Sequence, residues 1–183
     1  MKYGLPYKVV SFNQSSMRTV NSAIVNTNLQ WNTGQLYNQK VGVKRKTDVA
    51  WIKDPNFLSM LLRMVKQINK SAQWDLNITG VEPVQFGSYG EGSFYDWHVD
   101  QHRQPNKGYV RKISMSLFLS DDYKGGEFDL DIYKPEIDPR YESFKLPIGS
   151  AIFFQSDVWH RVRPVNSGVR KSIVAWFFGP AYV

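Results

Sequence analysis

Cysteine is absent from the 183 residues. That removes disulfide scaffolds, thiol nucleophiles, thiolate zinc sites and cysteine-bound iron–sulfur clusters together. Histidine is scarce, with only His98, His102 and His160, so any imidazole chemistry must use these three. No run approaches the roughly 18 apolar residues that a membrane-spanning helix needs, and no membrane partner is expected. The opening MKYGLPYKVVSFNQ has neither a long apolar stretch nor a small-residue cleavage site, so a cytoplasmic location is expected. Gly87 to Gly92 is rich in glycine but no Lys-Ser/Thr follows it, which argues against a phosphate loop. No repeat, low-complexity tract or clear linker divides the chain.

Basic residues exceed acidic ones by 23 to 16, a net charge of +7. Such a balance attracts acidic partners at long range, but the cations are dispersed, and the densest run is Lys44-Arg45-Lys46. Without a basic strip, solubility explains the charge better than nucleic acid does. Aromatics are the surplus: six Trp, ten Tyr and eleven Phe, 15% of the chain. Mixed with β-branched residues, they point to a strand-rich fold with a large interior.

Residues 1–80 read as helical. Ser15-Ser16 is a candidate cap for a helix with Met17, Val20, Ile24 and Thr27 along one face. Asp54 is a good N-cap and Pro55 suits a first helical position. Phe57, Leu61, Met64, Val65 and Ile68 then form an amphipathic stripe. From residue 81 the pattern turns to short strands at 84–89, 94–100, 112–119, 127–132, 151–155, 159–164 and 171–178. The expectation is a single domain over 1–183, mainly β with N-terminal helices (α+β). Residues 1–80 would be helical support, and 81–183 a jelly-roll core. The polar segment 101–109, with Gln101, His102, Arg103 and Tyr109, reads as an exposed loop beside any site its neighbours form.

His98-Val99-Asp100 falls in a strand pattern, where residues i and i+2 share a face. His98 and Asp100 therefore converge on one point, and His160, in a second strand-like run, can add an imidazole. Two histidines and one carboxylate occupy one face of an octahedral ion and leave three positions open, the donor set of non-haem Fe(II) oxygenases. Pro164 and Gly168 supply turn chemistry that returns Arg170 toward His160, where a guanidinium would bind a carboxylate bidentately. Three alternatives stand beside this reading. The histidines could be structural in a jelly-roll binding module, or they could hold zinc in a hydrolase. The net charge would suit an oxidative nucleic-acid modifier. His102 fits a surface or substrate-loop role better than that of a fourth ligand.

Three stretches carry a resemblance. Tyr89 to Asp100 is similar to Y-x-x-G-x-x-Y-x-x-H-x-D. Residues 114–121 with Tyr123-Lys124-Gly125-Gly126-Glu127-Phe128 resemble a strand ending in a Y-x-G-G-E-L turn. Residues 146–154 lead into His160, Pro164, Gly168 and Arg170. Together they resemble the 2-oxoglutarate- and Fe(II)-dependent dioxygenase superfamily, most closely its prolyl 4-hydroxylase-like, PKHD-type branch, over about half the chain. The resemblance implies a double-stranded β-helix of the jelly-roll and cupin kind. It implies an enzyme that hydroxylates a C–H bond, with succinate and CO2 released. Fe(II), 2-oxoglutarate and O2 are the implied cofactors, with ascorbate as an accessory reductant. His98, Asp100 and His160 would hold iron and Arg170 the far carboxylate of 2-oxoglutarate. Tyr89 and Trp176 would line the co-substrate pocket. Arginine in place of the lysine of collagen-type relatives weakens a collagen inference. A peptidyl residue, proline first, is the expected substrate, with a free amino acid or other small molecule as the alternative.

Overall fold

The computed structural model describes residues 5–38, 42–102, 104–133 and 138–181, and within them not the side chains of 34–38 or 42–44. The chain opens with β1 (Tyr7–Ser11) and enters α1 (Gln14–Asn26). The cap of α1 is Asn13, whose side chain accepts from Ser16 N at 2.8 Å. The expected cap at Ser15-Ser16 lies inside the helix, because the Asn13 amide oxygen already satisfies an early N–H. A hairpin follows, β2 (Asn32–Asn38) and β3 (Gly42–Ile52). The second helix, α2 (Pro55–Ser71), starts where the sequence places it, with Asp54 accepting from Phe57 N at 2.8 Å and Pro55 in the first turn. Beyond it lie β4 (Gly80–Val81), β5 (Val84–Tyr89), β6 (Phe94–His98), β7 (Tyr109–Phe118), β8 (Tyr123–Gly125), β9 (Phe128–Asp131) and β10 (Tyr141–Phe144). The chain closes with β11 (Ser150–Gln155), β12 (His160–Val162), β13 (Val165–Gly168) and β14 (Arg170–Pro180).

The helical reading of residues 1–80 needs correction. β1 pairs with β11, and β3 pairs with both β5 and β6. The N-terminal third therefore supplies part of the sheet as well as its helical cover. β2 and residues 44–48 of β3 are mostly polar and charged, which hides the alternation that marks a half-buried strand.

The main sheet is antiparallel and runs β1-β11-β7-β14-β5-β3-β6-β12-β9-β10. It curls until its distant strands face one another. Phe128 of β9 and Phe154 of β11 lie far apart in that order, yet their ring centroids are 5.5 Å apart. The result is a double-stranded β-helix with the helices packed on one outer face. Side-chain alternation divides the broad strands between two environments. Ile113, Met115 and Leu117 of β7, with Ile173, Ala175 and Phe177 of β14, meet Phe57, Leu61, Val65 and Ile68 of α2 in one apolar cluster. Completely burying each such leucine, isoleucine or valine contributes about 1.5–3 kcal/mol. The opposite faces of the same strands look into the curl. There Phe118, Phe128, Leu130, Ile152 and Phe154 close a second cluster, and polar groups gather beside it.

Candidate metal centre

His98 is the last residue of β6, and His160 begins β12 directly opposite it in the register. Their ring centroids are 4.1 Å apart. Asp100 lies just past the end of β6, so strand alternation does not place it. A backbone bond from Asp100 N to Ser156 O at 3.0 Å does. One carboxylate oxygen is then 3.7 Å from His98 Nε2 and the other 3.4 Å from His160 Nε2. One potential ligand atom from each residue falls within 4.8 Å of the others, and all three residues are buried.

The tautomers suit metal binding. His98 Nδ1 lies 2.7 Å from Asp96 O and His160 Nδ1 3.0 Å from Val158 O. A carbonyl can only accept, so each Nδ1 carries the proton and each Nε2 keeps its lone pair toward the centre. Burial pushes the His98 pKa down to about 3, with the neighbouring His160 adding to the effect. The ring is thus neutral and ready to ligate. Burial alone would raise the Asp100 pKa. His160 and His98, with the polar groups of Ser114 and Trp176 close by, hold it below the ordinary carboxylate value. Asp100 Oδ2 nonetheless has no hydrogen-bond partner of good geometry. A buried carboxylate oxygen beside two imidazole lone pairs is what a divalent cation would satisfy. The donor set fits Fe(II).

Arg170 shares this cavity but arrives differently from the sequence expectation. After β12 the chain does not turn straight back. It forms β13, which pairs with β8, before entering β14. Arg170 then pairs with Tyr89 on β5, and β5, β3 and β6 separate β14 from β12 in the sheet. Curling, rather than a local turn, brings Arg170 and His160 to one pocket. Arg170 is 1% exposed. Nη1 donates to Ser172 Oγ at 2.9 Å, and the guanidinium lies 5.3 Å from the Tyr89 ring and 5.1 Å from the Phe118 ring. Nε and Nη2 have no partner. Gly126 makes room for it. That residue has φ +65°, and a Cβ there would fall 3.2 Å from Arg170 Cδ and 3.0 Å from Val165 Cγ2.

Tyr89 and Trp176 also line the cavity. Trp176 carries Arg111 over its ring at 3.9 Å, and Arg111 is held by Glu82 through a bidentate pair. Gln101 donates its backbone N–H to Ser156 O at 2.9 Å. His102 and Tyr109 line a separate cleft with Asn106, Arg111 and Phe178, and His102 is not among the clustered ligands. Arg103 lies outside the described residues. Two site neighbours carry no sequence assignment. Tyr123, in the Y-x-G-G turn, has a buried hydroxyl without a partner and is affected by the charge of Arg170. Arg45 is buried against Tyr95 and Gln85. The turn motif points to Tyr123, whereas a basic run in a polar strand gives no sign that Arg45 is inside.

A family profile described as the 2OG-Fe(II) oxygenase superfamily matches residues 84–178. A PKHD-type hydroxylase of Picosynechococcus is 33% identical over 117 residues, covering 63% of this chain and 50% of the relative. Another, of Hyphomonas neptunium, is 40% identical over 100 residues, 51% of this chain and 42% of the relative. The chain spans half or less of the length of these curated relatives. Among solved structures, a Pseudomonas putida prolyl-4-hydroxylase aligns with a TM-score of 0.68 at 18% identity, covering 94% of this chain and 92% of that one. A prolyl hydroxylase of Trichoplax adhaerens, in complex with a peptide fragment of the hypoxia inducible factor oxygen degradation domain, aligns at 0.69 and 21% identity, covering 94% and 83%. At such identities the structural likeness shows the fold.

Proposed function

Because the chain belongs to the 2OG-Fe(II) oxygenase superfamily, we propose that it hydroxylates a C–H bond at the expense of 2-oxoglutarate, releasing succinate and CO2. The observation that carries this is the pairing of two unmet demands in one cavity. Three buried ligand atoms converge there, and Arg170 offers two buried donor nitrogens, Nε and Nη2, without an acceptor. A dicarboxylic keto acid meets both demands, with one end at the metal centre and the other on the guanidinium.

His98, Asp100 and His160 would hold Fe(II), and Arg170 would orient the far carboxylate, with Ser172 fixing the guanidinium. Bound iron would supply the activation of oxygen that no side chain can provide. The chain's own work is positioning and exclusion of water. Tyr89, Phe128 and Phe154 line the cavity and Phe118 packs against the guanidinium, so the Arg170 charge acts in a low dielectric. The Nδ1 hydrogen bonds of His98 and His160 to backbone carbonyls hold each ring with Nε2 toward the centre, where the metal would occupy its lone pair.

For the substrate we infer a peptidyl residue, proline first. Support comes from the cleft lined by His102, Asn106, Tyr109, Arg111 and Phe178, whose Arg111 covers the ring of the cavity-lining Trp176. An extended, proline-containing segment loses little conformational freedom on docking to such an aromatic-flanked groove. The test is succinate release coupled to mass spectrometry on proline peptides, free proline and nucleic acid. A gain of one oxygen on peptide is expected. A gain on free proline alone, or on nucleic acid alone, refutes the peptide assignment and leaves the oxygenase class standing.

A further inference from the structure

A second buried arginine lies behind the wall of the same cavity, against two of its lining residues, Gln85 and Tyr95. Arg45 sits where β3 leaves β5 and pairs with β6, opposite Tyr95. The β2–β3 register shifts beside it, and such irregularities re-aim side chains. Arg45 is only 8% exposed. Its Nη2 donates to Gln85 Oε1 at 2.6 Å, and its guanidinium carbon lies 4.8 Å from the Tyr95 ring centroid. Tyr95 in turn stacks on His98 with centroids 3.5 Å apart. Both Gln85 and Tyr95 line the cavity that holds the metal-binding cluster. Arg45 is therefore two ring contacts from the centre.

Its charge is not compensated. Among the described residues no carboxylate pairs with Arg45, and its Nε is buried without an acceptor. Arg111, Arg140, Arg161 and Arg163 contrast with it, because each has an acidic partner. A buried guanidinium held only by an amide and a ring retains most of its desolvation cost. Arg170 has the same deficit, which the proposed co-substrate removes. One dicarboxylate cannot serve both arginines while one of its ends is at the metal centre.

We propose that Arg45 is a specificity-determining residue that binds a carboxylate on the primary substrate, positioned by Gln85 and Tyr95. This rests on the oxygenase reading of the same cavity. The carboxylate is either an acidic side chain flanking the oxidised residue in a peptide or the α-carboxylate of an amino acid. A guanidinium with Nε free offers a directed donor to either.

The experiment uses the full chain loaded anaerobically with Fe(II) and 2-oxoglutarate, followed by calorimetric titration with matched probes. N-acetyl-Pro-Glu-amide is compared with N-acetyl-Pro-Gln-amide, and L-proline with L-prolinamide. In the wild type the carboxylate member of one pair should bind at least about tenfold more tightly. The first pair identifies a side-chain source and the second an α-carboxylate. Arg45→Gln should bring that ratio to about one, Arg45→Lys should restore part of it, and neither should alter the Fe(II)–2-oxoglutarate absorption band. Equal binding within both pairs, or a ratio that survives Arg45→Gln, overturns the assignment. So does loss of the band in Arg45→Gln, which would give Arg45 to the co-substrate. A wild type without any such band overturns the oxygenase reading and this one together. A band with equal ratios overturns only the role of Arg45.

Discussion

The two faces of β14 differ in a way that separates folding from function. Ile173, Ala175 and Phe177 point to the helices and are fully buried among other apolar groups. Arg170, Ser172 and Trp176 alternate with them and point into the curl. The buried side-chain atoms without partners among the described residues belong to Arg45, Asp100, Tyr123, Arg170 and Trp176. None belongs to the helix-side cluster. Native interiors satisfy nearly all buried polar atoms, so this concentration on one face marks where a ligand completes the structure.

Substitutions should break the two faces in opposite ways. The largest effect is expected from His160→Ala, which removes a ligand without touching the helix-side core. Succinate formation should fall by at least about a thousandfold, and the circular dichroism spectrum and apoprotein melting should stay near wild type. Normal turnover would remove His160 from the metal centre. Arg170→Ala comes next. Losing the partner of a buried carboxylate costs about 2–5 kcal/mol, so the 2-oxoglutarate requirement should rise by one to several orders of magnitude while Fe(II) binding changes little. Equal loss of both would indicate unfolding. On the other face, Leu61→Ala should cost about 2–5 kcal/mol of stability in denaturant melts. The 2-oxoglutarate affinity of the folded fraction should not change.

A pH series sharpens the same contrast. The folded His98 pKa is lowered to about 3, whereas an unfolded histidine titrates near 6.5. Between these values the unfolded chain binds a proton that the folded chain does not. Apoprotein stability should therefore fall as pH drops from about 6.5 toward 3, by up to about 1.4 kcal/mol per pH unit for this one group. Asp100, depressed in the fold, adds a loss of the same sign as pH falls through its folded value. His98→Gln should flatten the slope between pH 4 and 6, and an unchanged slope would contradict the burial argument. The smallest effect is expected at Asp54→Ala, where loss of the α2 cap should cost about 1 kcal/mol and leave the site untouched.

Much of this was legible in the residues. The second helix, with Asp54, Pro55 and its stripe, follows local rules, and seven strands of the C-terminal half fall near their expected places. The grouping of His98, Asp100 and His160 could be read because spacing and scarcity left few choices. Its detailed cause could not, since Asp100 is placed by a backbone bond to Ser156 rather than by strand alternation. β2 and β3 escaped notice because their polar composition hides the period of two. Arg45 was hidden for the same reason. Its burial depends on where β3 crosses from β5 to β6, which no local pattern encodes. Arg170 reaches the cavity through the global curl of the sheet, and only the closed structure shows that three strands intervene.

The central claim is that one inward face is a preformed site for Fe(II) and a dicarboxylate together. Anaerobic titration with Fe(II), with and without 2-oxoglutarate, tests it most directly. The account predicts a weak visible charge-transfer band that appears only when both are present, is lost in His160→Ala, and needs far more 2-oxoglutarate in Arg170→Ala. No band with both present, or a band indifferent to Arg170, would contradict it.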